Sequence, residues 1–508
     1  MRTIFDIAAK RAALSPGHTA FTEIETGRAC TYAELDARVA RCASALRALG
    51  IAAGDRVAIL SHNDIAFFET LLACARAGAI LVPLNWRQPV PELLPIVNDC
   101  APKLLLADGE HESVARELVG TLGIPLLGRR DYDAALAAAE PKPHETAWPA
   151  DGIWYLLYTS GTTGVPKAVI QTFGMAFANY VNIGQAIDLV STDTTINFLP
   201  LFHTAGINLY TLPMLIAGGT SHILRKFEVG QVIDALIVGK CTKFFGVPAI
   251  YQALALHPQF ETLDFSRVRH WACGGAPLPL ALIQRFAARG IRVCNGMGMT
   301  ETGPTVFLMD SANAEAKIGS VGKPQMLSEV RVVDGDGRDL GAEEAGELLI
   351  RGPNVTPGYW NNEAATRAAF LPGGWLKTGD VAKRDRDGYY FIVDRIKDMF
   401  ISGGENVYPA EVERALYTHP AVLEVAVVGV PDSKWGEVGA AYVLPKPGAG
   451  LDGEELRAFC RKLLAAYKVP KYVQVVGDFP RTAAGKIQKH VLRKGFASPR
   501  PSGERGKP

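Results

Sequence analysis

The chain has 508 residues, 48% hydrophobic and 21% charged, the balance of a globular protein too long for a single hydrophobic core. With 53 basic and 52 acidic residues the net charge is +1, so composition gives no argument for a nucleic-acid or membrane-surface partner. Eight cysteines (Cys30, Cys42, Cys74, Cys100, Cys241, Cys273, Cys294, Cys460) are scattered without the close spacing of a zinc or redox motif, and they read as small buried thiols.

The first ten residues hold no long apolar region, so no secretory leader is expected. The most apolar stretch, Leu71 to Leu84, is broken by Arg76 and is too short for a bilayer. These features predict a cytoplasmic protein with no integral membrane segment. Thr31, Tyr32, Ala33 and Glu34 form a capping-box pattern ahead of an apolar helical stripe ending near residue 49. A strand at Arg56–Leu60, a helix around Phe67–Ala77 and strands at Ala79–Pro83 and Lys103–Ala107 follow. This alternation predicts a parallel sheet covered by helices, and it resumes with strands at Thr194–Leu199, Ser221–Leu224 and Phe244–Val247. From about Val321 short strands such as Glu329–Val333 and Gly346–Arg351 alternate with Gly, Asp and Asn turns, predicting a small antiparallel barrel or sheet. After the charged run Asp394–Asp398, a final α+β unit is expected, with a helix at Pro409–Tyr417, a strand at Val422–Val430 and a helix at Gly453–Tyr467. The tail 498–508, rich in Pro, Gly and charge, reads as disordered.

Between Tyr158 and Lys167 the hydroxyls of Thr159, Ser160, Thr162 and Thr163 alternate with Gly161 and Gly164. Glycines let backbone N–H groups face an anion, hydroxyls donate further hydrogen bonds and Lys167 adds charge. No Gly-Lys-Ser/Thr ending follows, so this is not a Walker loop. On composition alone a polar surface turn competes with a phosphate cradle. As a string, however, the segment resembles the signature phosphate loop of the adenylate-forming superfamily, which includes acyl-CoA synthetases, peptide-synthetase adenylation domains and firefly luciferase. Ala168 stands where that family usually has glycine, and its methyl is expected only to restrict the loop.

Further segments carry the same resemblance in the same order. Leu199 to His203 is similar to the family's segment behind the acid, which places His203 beside the substrate carboxylate rather than in simple packing. No aspartate lies between His203 and Tyr210 to pair with an amino group, which argues against an amino-acid substrate. Gly274, Gly275, Ala276 and Pro277 resemble the stretch along one face of adenine, although they also suit a turn before a helix starting at Leu278. Asn295 and Met297 belong to the next adenine segment, with Met297 where relatives carry an aromatic. The run from Gly298 to Thr302 implies that Thr300 contacts phosphate and that Glu301, with Thr162, holds Mg2+, a solvated carboxylate being the competing account of Glu301. Asp380 and Arg395 would take the ribose, although Asp394 replaces the usual glycine beside Arg395.

Lys397 falls at the family's hinge, and Gly403 and Gly404 resemble walls of its pantetheine tunnel. Lys486, in the run from Pro480, resembles the catalytic lysine of adenylation. Trp435, Tyr467 and Lys471 match positions where some aryl-acid CoA ligases meet the nucleotide end of coenzyme A, with Val469 replacing one basic position. An acid pocket is expected to draw on His203, Gly206, Tyr251, Gly274 and Thr302. The resemblance implies an α/β fold. A large N-terminal domain, 1–396, would stack α/β subdomains with a small β-barrel-like subdomain from about 321. A small mobile α+β lid, 397–497, would follow. The implied activity is an ATP-dependent acyl-CoA synthetase using ATP, Mg2+ and coenzyme A, with an aryl acid, a hydroxycinnamic acid or a medium-chain fatty acid as substrate. No nucleic-acid partner is implied, and a homodimer is one open assembly. Three alternatives stay open: an enzyme loading a carrier protein, a luciferase-like oxygenase, and a nucleotide-binding scaffold without catalysis.

Overall fold

The computed structural model describes residues 2–159, 166–276, 278–481 and 487–496. The sequence candidates Ser160, Gly161, Thr162, Thr163, Gly164, Pro277 and Lys486, and the 498–508 tail, lie outside the described residues. The chain divides into two compact units. The first comprises Met1–Arg331, Leu349–Thr378 and Asp385–Phe391; the second comprises Val332–Leu348, Gly379–Arg384 and Ile392–Pro508. The division crosses the chain several times, and each of the strands Glu329–Val333, Gly346–Arg351, Trp375–Arg384 and Tyr390–Arg395 contains one of the division points. Among the described residues no helix is long and apolar enough to cross a membrane.

In the first unit the capping box forms as the sequence predicts: the Thr31 hydroxyl accepts from the Glu34 N–H, and Glu34 accepts from the Thr31 N–H at 2.8 Å. The helix Ile65–Ala77 starts two residues before the expected Phe67, because Asp64 caps it by accepting from the Phe67 N–H at 2.8 Å. Mostly apolar, this helix is buried along its length and ends at Gly78, whose φ of 74° is the left-handed region. Arg76 does not break it. Its guanidinium is held by the Asp6 carboxylate at 2.7 and 3.2 Å inside the core.

A six-stranded sheet runs in the order Lys167–Thr172, Ile153–Thr159, Ile80–Pro83, Arg56–Leu60, Leu104–Ala107, Leu126–Gly128. It is parallel except at the edge, where Lys167–Thr172 pairs antiparallel with Ile153–Thr159. A four-stranded sheet joins Thr194–Asn197 and Thr220–Ile223 to Thr19–Glu23 and Ala29–Thr31. A third sheet sets Lys243–Gly246, His270–Cys273 and Val293–Gly298 side by side in parallel. All eight cysteines are buried and free. Burial lifts their thiols, to about 12 at Cys241 and about 11 at Cys460, so none is an activated nucleophile.

In the second unit the long hairpin Val422–Asp432/Gly436–Pro445 is the spine, with Phe400–Ser402 and Tyr472–Val475 pairing in succession along the other edge of its second strand. The helix Pro409–Tyr417 packs Val412 and Leu416 into the same core. Lys489 pairs with the half-buried Glu413 at 2.7 Å. The expected helix Gly453–Tyr467 stops at Arg461: the N–H groups of Leu463 and Leu464 both turn back to the Cys460 carbonyl, and Ala466–Lys468 is a 3-10 turn ahead of Pro470. The helix expected from Leu278 begins at Leu280.

Candidate active site

The Tyr158–Lys167 segment is the connection of a β-hairpin. Thr159 and Lys167 are direct strand partners, and the Thr159 hydroxyl donates to the Lys167 carbonyl at 3.4 Å. The stems therefore present the two ends of the glycine- and hydroxyl-rich stretch together, with the Lys167 ammonium 5.5 Å from the centre of the Tyr359 ring. The Ala168 methyl is buried within the sheet core with Leu156 and Leu105.

Three stretches lock together beside Lys167. The Gln171 amide donates to the Thr300 carbonyl at 2.9 Å, and the Thr356 N–H donates to the Glu301 carbonyl at 2.8 Å. The Thr356 hydroxyl donates to the Ile170 carbonyl at 2.7 Å, and Val169 bridges to Tyr359. This frame leaves the Thr300 and Glu301 side chains partly exposed, and the Tyr359 hydroxyl donates to the Glu301 carboxylate at 3.0 Å. Burial first, then the adjacent Glu301 charge, holds the Tyr359 phenol well above its ordinary range, so it remains a donor. The sequence reading missed Tyr359 because a lone tyrosine after Pro357 and Gly358 carries no periodic signal. A hard carboxylate oxygen fixed in direction and half open to solvent suits a magnesium ion.

The two expected adenine segments are brought side by side by strand pairing. Cys273 and Asn295 are partners in the parallel sheet, so Gly274 to Ala276 leave one strand end next to Asn295 and Met297 on the other. A Cβ on Gly274 would stand 3.3 Å from the Gly296 carbonyl, and one on Gly298 would lie 1.7 Å from the Pro304 carbonyl, so Gly298 admits no side chain. Gly275 and Ala276 are exposed, and the Asn295 Oδ1 is buried with no hydrogen-bond partner among the described residues.

His203 sits in a turn after Thr194–Asn197, its N–H donating to the Pro200 carbonyl at 3.1 Å and its ring against Phe202. The next residues, Ala205–Leu209, form a π-helical turn that the sequence did not signal, anchored by Asn208 donating to the Gly303 carbonyl at 2.6 Å. Three expected pocket residues have other work. Tyr251 is fully buried among Phe244, Trp271 and Phe286, and its hydroxyl donates to the Ala272 carbonyl at 2.8 Å, so it is a core residue. The buried Thr302 hydroxyl serves its own turn, donating to Met299 or Pro304 carbonyls at 3.0 and 2.9 Å. Gly206 is needed for packing, because a Cβ there would lie 2.4 Å from the Pro200 carbonyl.

In the second unit Arg395 Nε meets the buried Asp380 carboxylate at 2.8 Å. Asp394, in place of the expected glycine, accepts from the Arg395 N–H and, at the start of the Pro409–Tyr417 helix, from the Ala410 N–H, both at 2.7 Å. Its burial raises its pKa, opposed by the Lys489 ammonium. The exposed Lys397 lies in a turn closed by Asp398 and Met399 N–H groups donating to the Arg395 carbonyl. Gly403, at φ 61°, donates its N–H to the Trp435 carbonyl, and a Cβ there would be 2.8 Å from the Trp435 ring. Gly404 beside it is open at φ 89°. Trp435, 47% exposed, rides a hairpin tip that Asp432 ties down through the Lys434 and Trp435 N–H groups, while Asp432 also pairs with Lys471. Tyr467 is exposed on its 3-10 turn, and Val469 packs against the core, which accounts for its apolar character.

The model of the AMP-binding enzyme family matches residues 8–360, and that of the AMP-binding enzyme C-terminal domain matches residues 411–486. A feruloyl-CoA synthase from Amycolatopsis is 45% identical over 96% of this chain and 98% of its own length. An indoleacetate–CoA ligase from Aromatoleum aromaticum is 37% identical over 96% of each chain. The solved o-succinylbenzoate CoA synthetase of Bacillus subtilis, in complex with its acyl-adenylate OSB-AMP, superposes with a TM-score of 0.89 at 33% identity, covering 97% of this chain and 99% of that one. Matched by both family models and similar to these ligases along nearly its whole length, the chain belongs to the AMP-binding enzymes of the adenylate-forming superfamily and is an acid–thiol ligase.

Proposed function

We propose that the protein is an ATP-dependent aryl-acid CoA ligase whose substrates are hydroxycinnamic or related aryl acids. What carries the aryl assignment is the 45% identity with the feruloyl-CoA synthase, supported by the 37% identity with the indoleacetate–CoA ligase. A carboxylate is a poor electrophile, and attack of its oxygen on the α-phosphorus of ATP exchanges an oxide leaving group for AMP, expelling pyrophosphate. The hairpin loop 160–166, Lys167 and Thr300 bind and orient the phosphates. Mg2+, when bound, offsets charge on the outer phosphates, and Glu301 with Thr162 would hold it. Gly274 to Pro277, Asn295 and Met297 take the adenine, Asp380 and Arg395 the ribose, and His203 lies at the acid end.

Lys486 supplies the charge that stabilises the in-line displacement. The C-terminal lid, 397–497, then turns about Lys397. The coenzyme A thiol enters past Gly403 and Gly404, attacks the acyl carbon and releases AMP, with Trp435, Tyr467 and Lys471 on its nucleotide end. Such a division of labour predicts that Lys486→Ala loses adenylation but retains most thioester formation from supplied acyl-adenylate; equal loss in both halves rejects it.

The deciding experiment measures AMP release from MgATP and coenzyme A over a panel of aryl and straight-chain acids, with products identified by mass. Feruloyl- or coumaroyl-type thioesters at the highest kcat/KM support the assignment. Thioesters from straight-chain acids alone overturn the aryl choice, and AMP without any thioester redirects the acceptor to a carrier protein.

A further inference from the structure

In the six-stranded sheet the chain leaves the Arg56–Leu60 strand towards Ile80–Pro83 on one side and then crosses to Leu104–Ala107 on the other. The carboxyl ends of Arg56–Leu60 and Leu104–Ala107 therefore flank a topological switch point, the crevice where parallel sheets commonly place ligands. None of the proposed nucleotide, acid or coenzyme A contacts uses it. The loop after the first strand brings His62 there, and the loop after the second brings Asp108, Glu110 and His111.

These side chains form a convergent donor set. One donor atom each from His62, Asp108 and His111 lies within 4.8 Å of the others. Nδ1 of His62 stands 3.4 Å from Asp108 Oδ2 and 3.5 Å from Glu110 Oε2, and Nδ1 of His111 is 2.6 Å from Asp108 Oδ1. Four nitrogen and oxygen ligands arranged tetrahedrally about 2.0–2.1 Å from a zinc ion are roughly 3.3 Å apart, close to the two longer separations. The Asp108 carboxylate is fixed in advance, because the N–H groups of His62 and His111 each donate to it at 3.0 Å. His62 and Asp108 are buried, while Glu110 at the rim is 64% exposed.

Arg225, arriving from the four-stranded sheet, supplies the cation. A single nitrogen, Nη2, lies 3.3 Å from His62 Nδ1, 3.3 Å from Asp108 Oδ2 and 2.8 Å from Glu110 Oε1. That nitrogen marks the point at which a positive charge satisfies three donors at once. Its side chain is 37% exposed and has solvent to swing into.

We propose that His62, Asp108, Glu110 and His111 form a binding site for a transition-metal dication of the zinc type, in which the metal replaces the Arg225 guanidinium. Two neutral imidazoles and two carboxylates suit zinc or cobalt, whereas an all-oxygen set would favour magnesium or calcium. Bound there, the ion clips the loops after two strands of one sheet and leaves the magnesium-dependent reaction elsewhere in the protein untouched.

The full-length protein, stripped with chelator, is titrated with Co2+ and with Zn2+ and compared with His62→Ala/His111→Ala and with Arg225→Met. The expected result is one Co2+ per chain with the visible absorption of a four-coordinate site, displaced by Zn2+, and a higher thermal midpoint with Zn2+. Both effects vanish in the double variant, which still releases AMP in Mg2+. Arg225→Met binds at least about tenfold tighter, since a competing unit charge has left. If the double substitution fails to fold, His111→Gln, which keeps a donor to Asp108, should lose the same absorption. Wild type and Arg225→Met taking up no more metal than the histidine variants overturns the proposal and leaves Arg225 as the permanent counter-ion.

Discussion

The Glu301 carboxylate is aimed by its neighbours: Tyr359 donates to one of its oxygens while Thr356 holds its backbone carbonyl. A hydrogen bond to a charged acceptor contributes about 1.5–3 kcal/mol. Tyr359→Phe is therefore expected to lower kcat/KM for adenylation roughly tenfold or more, mainly through a raised Mg2+ requirement, with the fold intact. Magnesium titrations of ATP–pyrophosphate exchange read this directly, and an unchanged Mg2+ dependence removes the positioning role. The carbonyl and amide partners that set this geometry come from residues more than 50 positions away in the chain. Motif reading therefore picked out Glu301 and passed over Tyr359. The same limit produced the pocket assignments for Tyr251 and Thr302, whose hydroxyls are committed to Ala272 and to the turn at Met299. Asp394 reversed the direction of surprise. What the sequence marked as a departure beside the ribose residues is a cap on the following helix.

Local elements were more legible, because their signals are local. The capping box at Thr31 needed only four residues to read, and Thr31→Ala should cost about 1 kcal/mol, seen as a lower denaturant midpoint at unchanged slope. Helix ends set by backbone turns that carry no sequence signal were misplaced, as at Arg461, where the Leu463 and Leu464 N–H groups both turn back to the Cys460 carbonyl and a separate 3-10 turn follows at Ala466–Lys468. At Gly403 two constraints coincide, the left-handed backbone and the Trp435 ring 2.8 Å from an added methyl. Gly403→Ala should displace Trp435, raise the KM for coenzyme A severalfold and leave adenylation near wild type. A variant equally impaired in both half-reactions would show that the glycine serves folding rather than thiol entry.

Across the whole molecule, parallel sheets were visible in strand–helix alternation, but the order of strands was not, since pairing is decided by long-range burial. That order sets the environment of Asp64, largely but not fully buried at the head of the Ile65–Ala77 helix and paired with Arg129 at 3.0 Å. Burial outweighs the Arg129 charge and lifts this carboxyl to about 6. Folding thus favours its protonated form. The contribution is complete below the ordinary carboxylate range near 4 and is lost as pH rises through about 6. Asn keeps an oxygen for the Phe67 N–H, so Asp64→Asn should gain on wild type by on the order of 2–3 kcal/mol between pH 4 and 7. Parallel denaturation curves at each pH test it, and a constant gap between the proteins refutes the assignment.

The pairing of Thr159 with Lys167 also has a thermodynamic meaning for nucleotide capture. Bringing the ends of an open segment of that length together costs about 2 kcal/mol by the logarithmic closure law. Here the sheet meets that cost during folding, before ATP arrives. Binding energy from the phosphates is spared ring closure and is left for orienting the reacting groups. Changes within the loop should therefore act on phosphate affinity, whereas breaking the stem would weaken every ligand that must first gather its ends.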